Sequence, residues 1–135
     1  MATTTDALRL SFPTALGVEE AARAVDTALA KRKFSVLWAL DINEKLREKG
    51  LKLEREFRIL EVCSAPRAKE ALESEPEVGY FLPCKVMVYG DAGGTRIGLP
   101  RPTALMGMLG GGPKLQALAE EVEGVLVEAL REAAG

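Results

Sequence analysis

EFRILEVCSAPRAKEALESEPEVGYFLPCKVMVY, residues 56 to 89, decides the fold. Two apolar runs, 56 to 63 and 84 to 89, have the length and β-branched content of strands. Between them Pro66 opens a helix that runs through Leu72, and Pro76 and Gly79 bring it to a close. Cys63 ends the first strand and Cys84 begins the second, so antiparallel pairing puts both at the same end of neighbouring strands. If they face each other, their Cα atoms lie roughly 4.5 to 5.5 Å apart, inside disulfide range, and the sulfurs within about 6 Å. That register sets Glu61 opposite Val86 and Ile59 opposite Val88.

Working outward, residues 7 to 12 alternate as a strand with Leu8, Leu10 and Phe12 on one side. After Pro13 the period becomes helical over Val18, Ala21, Ala22, Val25, Ala28 and Leu29, with Glu19 and Glu20 in the first turn. RKFSVLWALDI, residues 32 to 42, is the clearest strand, with Phe34, Val36, Trp38, Leu40 and Ile42 on one face. NEKLREKG reads as a short helix with Asn43 as N-cap and Gly50 past its end. Asp91 to Gly94 make a turn, and Thr95 to Leu99 pair back as a hairpin. Pro113 opens a helix of about twenty residues whose apolar stripe includes Leu115, Leu118, Val122, Leu126 and Leu130. The result is one α+β domain, residues 1 to 135. It is an antiparallel sheet in β-α-β(4)-α order with the long C-terminal helix packed on it.

The two cysteine segments, with the helix and strand before them, resemble the domain of unknown function 302 family. The positions that carry the likeness are Ile59, Leu60, Cys63, Pro66, Ala68, Ala71, Leu72, Leu82, Pro83 and Cys84, supported by Asp41 to Lys49 upstream. The resemblance implies a TATA-binding-protein-like sheet in the same element order and supplies no activity. Ser64 and Lys85 stand where the family often has Asn, Lys69 where it has His, and Arg101 and Pro102 where it has an Asp-Pro pair.

Composition excludes more than it assigns. Formal net charge is -2, from 18 basic and 20 acidic residues, without the basic footprint of a nucleic-acid partner. No apolar run approaches the ~20 residues of a bilayer span, and MATTTDALRL lacks a signal-peptide core, so the expectation is a cytoplasmic protein with reduced thiols and no membrane partner. The absence of histidine removes imidazole bases, Ser-His and Cys-His nucleophiles, and imidazole metal ligands. Catalytic residues are therefore unassigned, no cofactor is implied, and the reading leans away from an enzyme. Asn43 and Gln116 are the only side-chain amides, which fits a thermophilic source or a GC-rich genome.

The sites that remain are few. Cys63 and Cys84 are either packing thiols or a redox-reactive pair; as metal ligands, two sulfurs leave zinc half-ligated unless a second subunit contributes. Their expected role is packing, with Arg67 and the helix N-terminus as the groups placed to lower a thiol pKa. Glu61 either bulges outward or sits among valines as a ligand anchor or general acid. With Arg58 and Arg101 as further polar anchors, it suggests a small-molecule binding module with an apolar cleft between the sheet and the long helix. A thiol-dependent enzyme or sensor and a structural homodimer are the alternatives. Gly110 to Pro113, followed only by Lys114, is expected to be a flexible connection; Asp91 and Tyr89 are expected to be turn and sheet-surface residues. A homodimer is expected from an apolar patch of Leu37, Ala39, Leu60, Val62, Met87 and Tyr89 on the face away from the helices.

Overall fold

The computed structural model describes residues 2–135. The elements are β1 (Thr4–Thr5), β2 (Arg9–Thr14), α1 (Val18–Ala30), β3 (Ser35–Asp41), α2 (Ile42–Glu48), β4 (Phe57–Cys63), α3 (Ala65–Ser74), a 3-10 turn (Pro76–Tyr80), β5 (Cys84–Asp91), β6 (Gly94–Pro100), α4 (Pro102–Leu109) and α5 (Gly112–Ala134). Six strands form one sheet in the order β1-β2-β6-β5-β4-β3, every neighbouring pair antiparallel. The β-α-β(4)-α frame is present, with β1, α2, α3 and α4 added to it.

The apolar stripe of α1 and the C-terminal half of α5 close one face of the sheet. Leu29, Leu126 and Leu130 are fully buried there against Val62, Val86, Val88 and Ile97. Burying each such side chain contributes about 1.5–3 kcal/mol, which is why these two long amphipathic helices take the sheet. Gly98 lets β6 lie close to β2, since a Cβ there would sit 3.1 Å from the Leu10 carbonyl oxygen. The opposite face carries no helix. On it Arg96 is buried by the N-terminal strand, donating from Nε to Ser11 Oγ at 2.7 Å and from Nη2 to the Ala2 carbonyl at 2.6 Å.

Three local expectations need correction. The face assigned to Phe34, Val36, Trp38, Leu40 and Ile42 is split by a bulge between Val36 and Trp38. Val36 pairs with Val62 on the helix side, whereas Trp38 pairs with Glu61 on the other. Ile42 starts α2, whose N-cap is Asp41, with its carboxylate accepting from the Glu44 N–H at 3.0 Å. Asn43 is instead buried inside the first turn and holds the loop before β4. Its Nδ2 donates to the Arg55 carbonyl at 2.9 Å, and its Oδ1 accepts from the Phe57 N–H at 2.7 Å.

A second, smaller cluster lies beyond the end of the sheet. Ala71 of α3, Val78 of the 3-10 turn, Met106 of α4, and Leu115, Leu118 and Ala119 of α5 pack together. Because α5 spans both clusters, its N-terminal half covers the short elements and its C-terminal half the sheet.

Candidate functional site

The ends of β4 and β5, α3, the 3-10 turn, α4 and α5 leave an apolar cavity of about 50 Å³ where the two clusters meet. Val62, Leu115, Leu118 and Met106 wall it, and both cysteines, Ser64 and Arg67 also border it. Three short elements converge here, and their side chains close the gap incompletely. A shallower depression of about 180 Å³ adjoins it, sharing Leu82, Cys84, Pro102 and Met106 as a common wall and opening toward Tyr80, Glu61 and Lys85.

The cysteines do not face each other across the ladder. Cys84 pairs with Val62, one residue away from the expected register, and both thiols are free. The slip has a simple cause. It places Leu60, Val62, Val86 and Val88 together on the helix side, and it leaves Glu61 opposite Lys85 on the other. Burial pushes the Cys84 thiol up to about 11, with the charge of Cys63 adding to the effect, and burial also raises Cys63. Neither is a thiolate near neutral pH, so neither is a ready nucleophile. Arg67 is occupied elsewhere, donating to Glu121 at 2.9 and 2.7 Å and lying 5.5 Å over the Phe34 ring.

The three expected polar anchors lie apart, each paired with an opposite charge. Glu61 meets Lys85 at 3.0 Å at the rim of the outer depression, not among valines, and no bulge is needed to turn it outward. Arg58 is largely buried and ties β4 to its surroundings through Asp41 at 3.1 Å, Glu19 at 3.5 Å and the Asn43 Oδ1 at 3.3 Å. Arg101, before α4, donates to Glu123 at 3.1 Å and to the Asp6 carbonyl at 3.0 Å.

Glu123 escaped the sequence reading because it interrupts the apolar stripe of α5 and looks like a solvated flank. It accepts from the Thr103 N–H at 3.1 Å and hydroxyl at 2.6 Å, capping the start of α4 from another helix. Burial pushes its carboxyl up, but the Thr103 and Arg101 hydrogen bonds outweigh that and hold it below the usual carboxylate range. Met106 was missed with α4 itself. The only early signal was Pro102, which stands in the first turn of that helix.

Gly110 to Pro113 is a tight junction between two helices, not a flexible connection, with Gly110 ending α4 at φ 65°. Asp91 accepts from the Ala92 N–H at 2.9 Å in its turn, and Tyr89 stacks on Phe57 at 5.4 Å between ring centres, both as expected. The patch proposed for dimerisation must be redrawn, since Leu60 and Val62 lie in the core. Among the described residues, no helix is long and apolar enough to cross a membrane. No group of three or more Cys, Asp and Glu among them is placed to hold a metal ion.

The sequence profile described as "Domain of unknown function DUF302" matches residues 10–133. The chain belongs to the DUF302 family. A solved DUF302 structure, the crystal structure of an uncharacterized conserved protein from Bacillus stearothermophilus, superposes with a TM-score of 0.88 at 38% identity. The match covers 93% of this chain and 97% of that one. No functionally curated protein matches the chain. The DUF302 sheet, with its long C-terminal helix, is thus shared with that relative across nearly its whole length.

Proposed function

We propose that this DUF302 chain binds a small amphipathic molecule, its apolar end in the cavity between the two clusters and its polar end at Glu61 and Lys85. The observation that carries the reading is the shared wall of Leu82, Cys84, Pro102 and Met106, which joins an apolar cavity to an open depression bearing both charges. The space is below the ~300–1,000 Å³ of drug-sized ligand sites, which favours a short-chain ligand over a long fatty acid. A carboxylate head suits Lys85, whose side chain is the more exposed partner of its ion pair.

The test is thermal shift with short-chain alkyl carboxylates and their alcohol counterparts. A rise in melting temperature for the carboxylates, lost in Met106→Trp and reduced in Lys85→Ala, is the expected outcome. No shift with any chain length in the wild type would remove this reading.

A second reading, self-association, is favoured by Leu37 and Trp38, which are 59% and 51% exposed beside the bulge. Large apolar side chains in water beside the helix-free face suit a two-fold contact. Light scattering that gives a monomer at micromolar concentration would end it.

A further inference from the structure

We propose that Cys63, Cys84 and Met106 form a binding site for one monovalent soft metal ion, Cu(I) under reducing conditions. These three side chains supply the sulfur at one cavity, and they include both cysteines of the chain. Thiolate and thioether sulfur select Cu(I) over harder ions. The objection to zinc, which takes four ligands, does not carry over, because two thiolates and a thioether satisfy a cuprous ion. The cavity, at about 50 Å³, admits a bare ion and excludes a hydrated one together with its shell. Its apolar walls keep water from the metal, which protects the lower oxidation state.

Two further observations support the site. Cys84 and Met106 also border the outer depression, so two of the three sulfurs are reachable from outside and mark an entry path. Binding also leaves a charge that the surroundings can accept. Each thiol gives its proton to solvent as its sulfur–copper bond forms, so two thiolates and one Cu(I) make a centre of net charge -1. Arg67 borders the same cavity, and its Nη1 is left free by the bonds that Nε and Nη2 make to Glu121. The proposal uses the cavity of the preceding reading but does not depend on a small-molecule ligand.

The experiment is an anaerobic titration of the reduced full chain with Cu(I) in competition with a chromophoric Cu(I) chelator. The expected result is withdrawal of one equivalent per chain, with sulfur-to-copper charge-transfer absorption in the ultraviolet. Cys84→Ser should weaken binding by more than about a hundredfold, beyond the loss typical of changes outside the coordination sphere. Met106→Leu, which keeps the volume, should weaken it by about tenfold. Met108→Leu, on an exposed side chain of the same helix, should leave it unchanged. Circular dichroism and melting temperature of each variant separate lost binding from lost folding, with Cys84→Ala as the second variant if serine does not fold. Affinity no tighter than that of the folded Cys63→Ser/Cys84→Ser double variant would overturn the proposal, as would one ion per two chains. Because Met106→Leu preserves an apolar cavity, it should keep any alkyl-carboxylate shift while losing Cu(I) affinity, so the two readings fail separately.

Discussion

The two apolar clusters use the same residue types but close to different degrees. In the main core, Leu29, Val62, Val86, Val88, Ile97, Leu126 and Leu130 are all 0% exposed, because a sheet and two long helices interdigitate over their whole length. In the smaller cluster, Ala71 and Met106 are 7% exposed and Leu118 is 8%, because a ten-residue helix, a 3-10 turn and an eight-residue helix meet at their ends. Regular elements stabilise the fold, and the seam where irregular ones adjoin them leaves room for a ligand.

The sharpest way to break that comparison is to truncate one leucine in each cluster. Leu130→Ala should cost about 3–5 kcal/mol and Leu118→Ala about 2 kcal/mol, read from urea unfolding. Equal losses would mean that the smaller cluster is as tightly packed as the core. A different kind of contact is tested by Arg58→Ala, expected to cost about 2 kcal/mol by leaving Asp41 and the Asn43 carbonyl oxygen short of a largely buried cation.

Glu123 sharpens the comparison on the side of the short elements. Its carboxyl is held low in the folded chain, so its ionised form contributes stability above the unfolded value of 4.5, and that contribution is lost as pH falls through the lower folded value. Wild type should therefore lose about 1 kcal/mol over this acid range that Glu123→Gln does not lose, and the variant should be the weaker at pH 7. The smallest effect expected is on Cys84 reactivity. Iodoacetamide labelling against pH should give an apparent pKa near 11, from burial, and a value below the ordinary ~8.5 would return the thiol-enzyme reading to first place.

Most of the fold was legible because periodicity reports which face of an element is buried. Val18 to Leu29 and Leu115 to Ala133 keep helical spacing over several turns, and both are helices. Register was harder, since alternation in β4 and β5 permits either of two pairings and the symmetric placing of the cysteines favoured the wrong one. Pairing Glu61 with Lys85, the only arrangement that keeps both charges out of the core, was available in the sequence and carries the decision. The bulge at Leu37 left no trace, because Phe34 to Ile42 alternate without a break. The cavity was legible only in part. The cysteines and a cleft on α5 were in view, but Met106 stands in a Met- and Gly-rich run whose helix depends on a cap from Glu123, twenty residues further on.

The bulge between Val36 and Trp38 has a consequence for how the molecule survives in a crowded solution. β3 is the outer strand of the sheet and carries Leu37 and Trp38 in the open, which would make it a template for a passing unfolded chain. A bulge breaks the even spacing of its outward N–H and C=O groups, so an incoming strand cannot zip along it beyond a few residues. One extra residue in β3 thus guards against fibrous aggregation while leaving the tryptophan free for a specific contact.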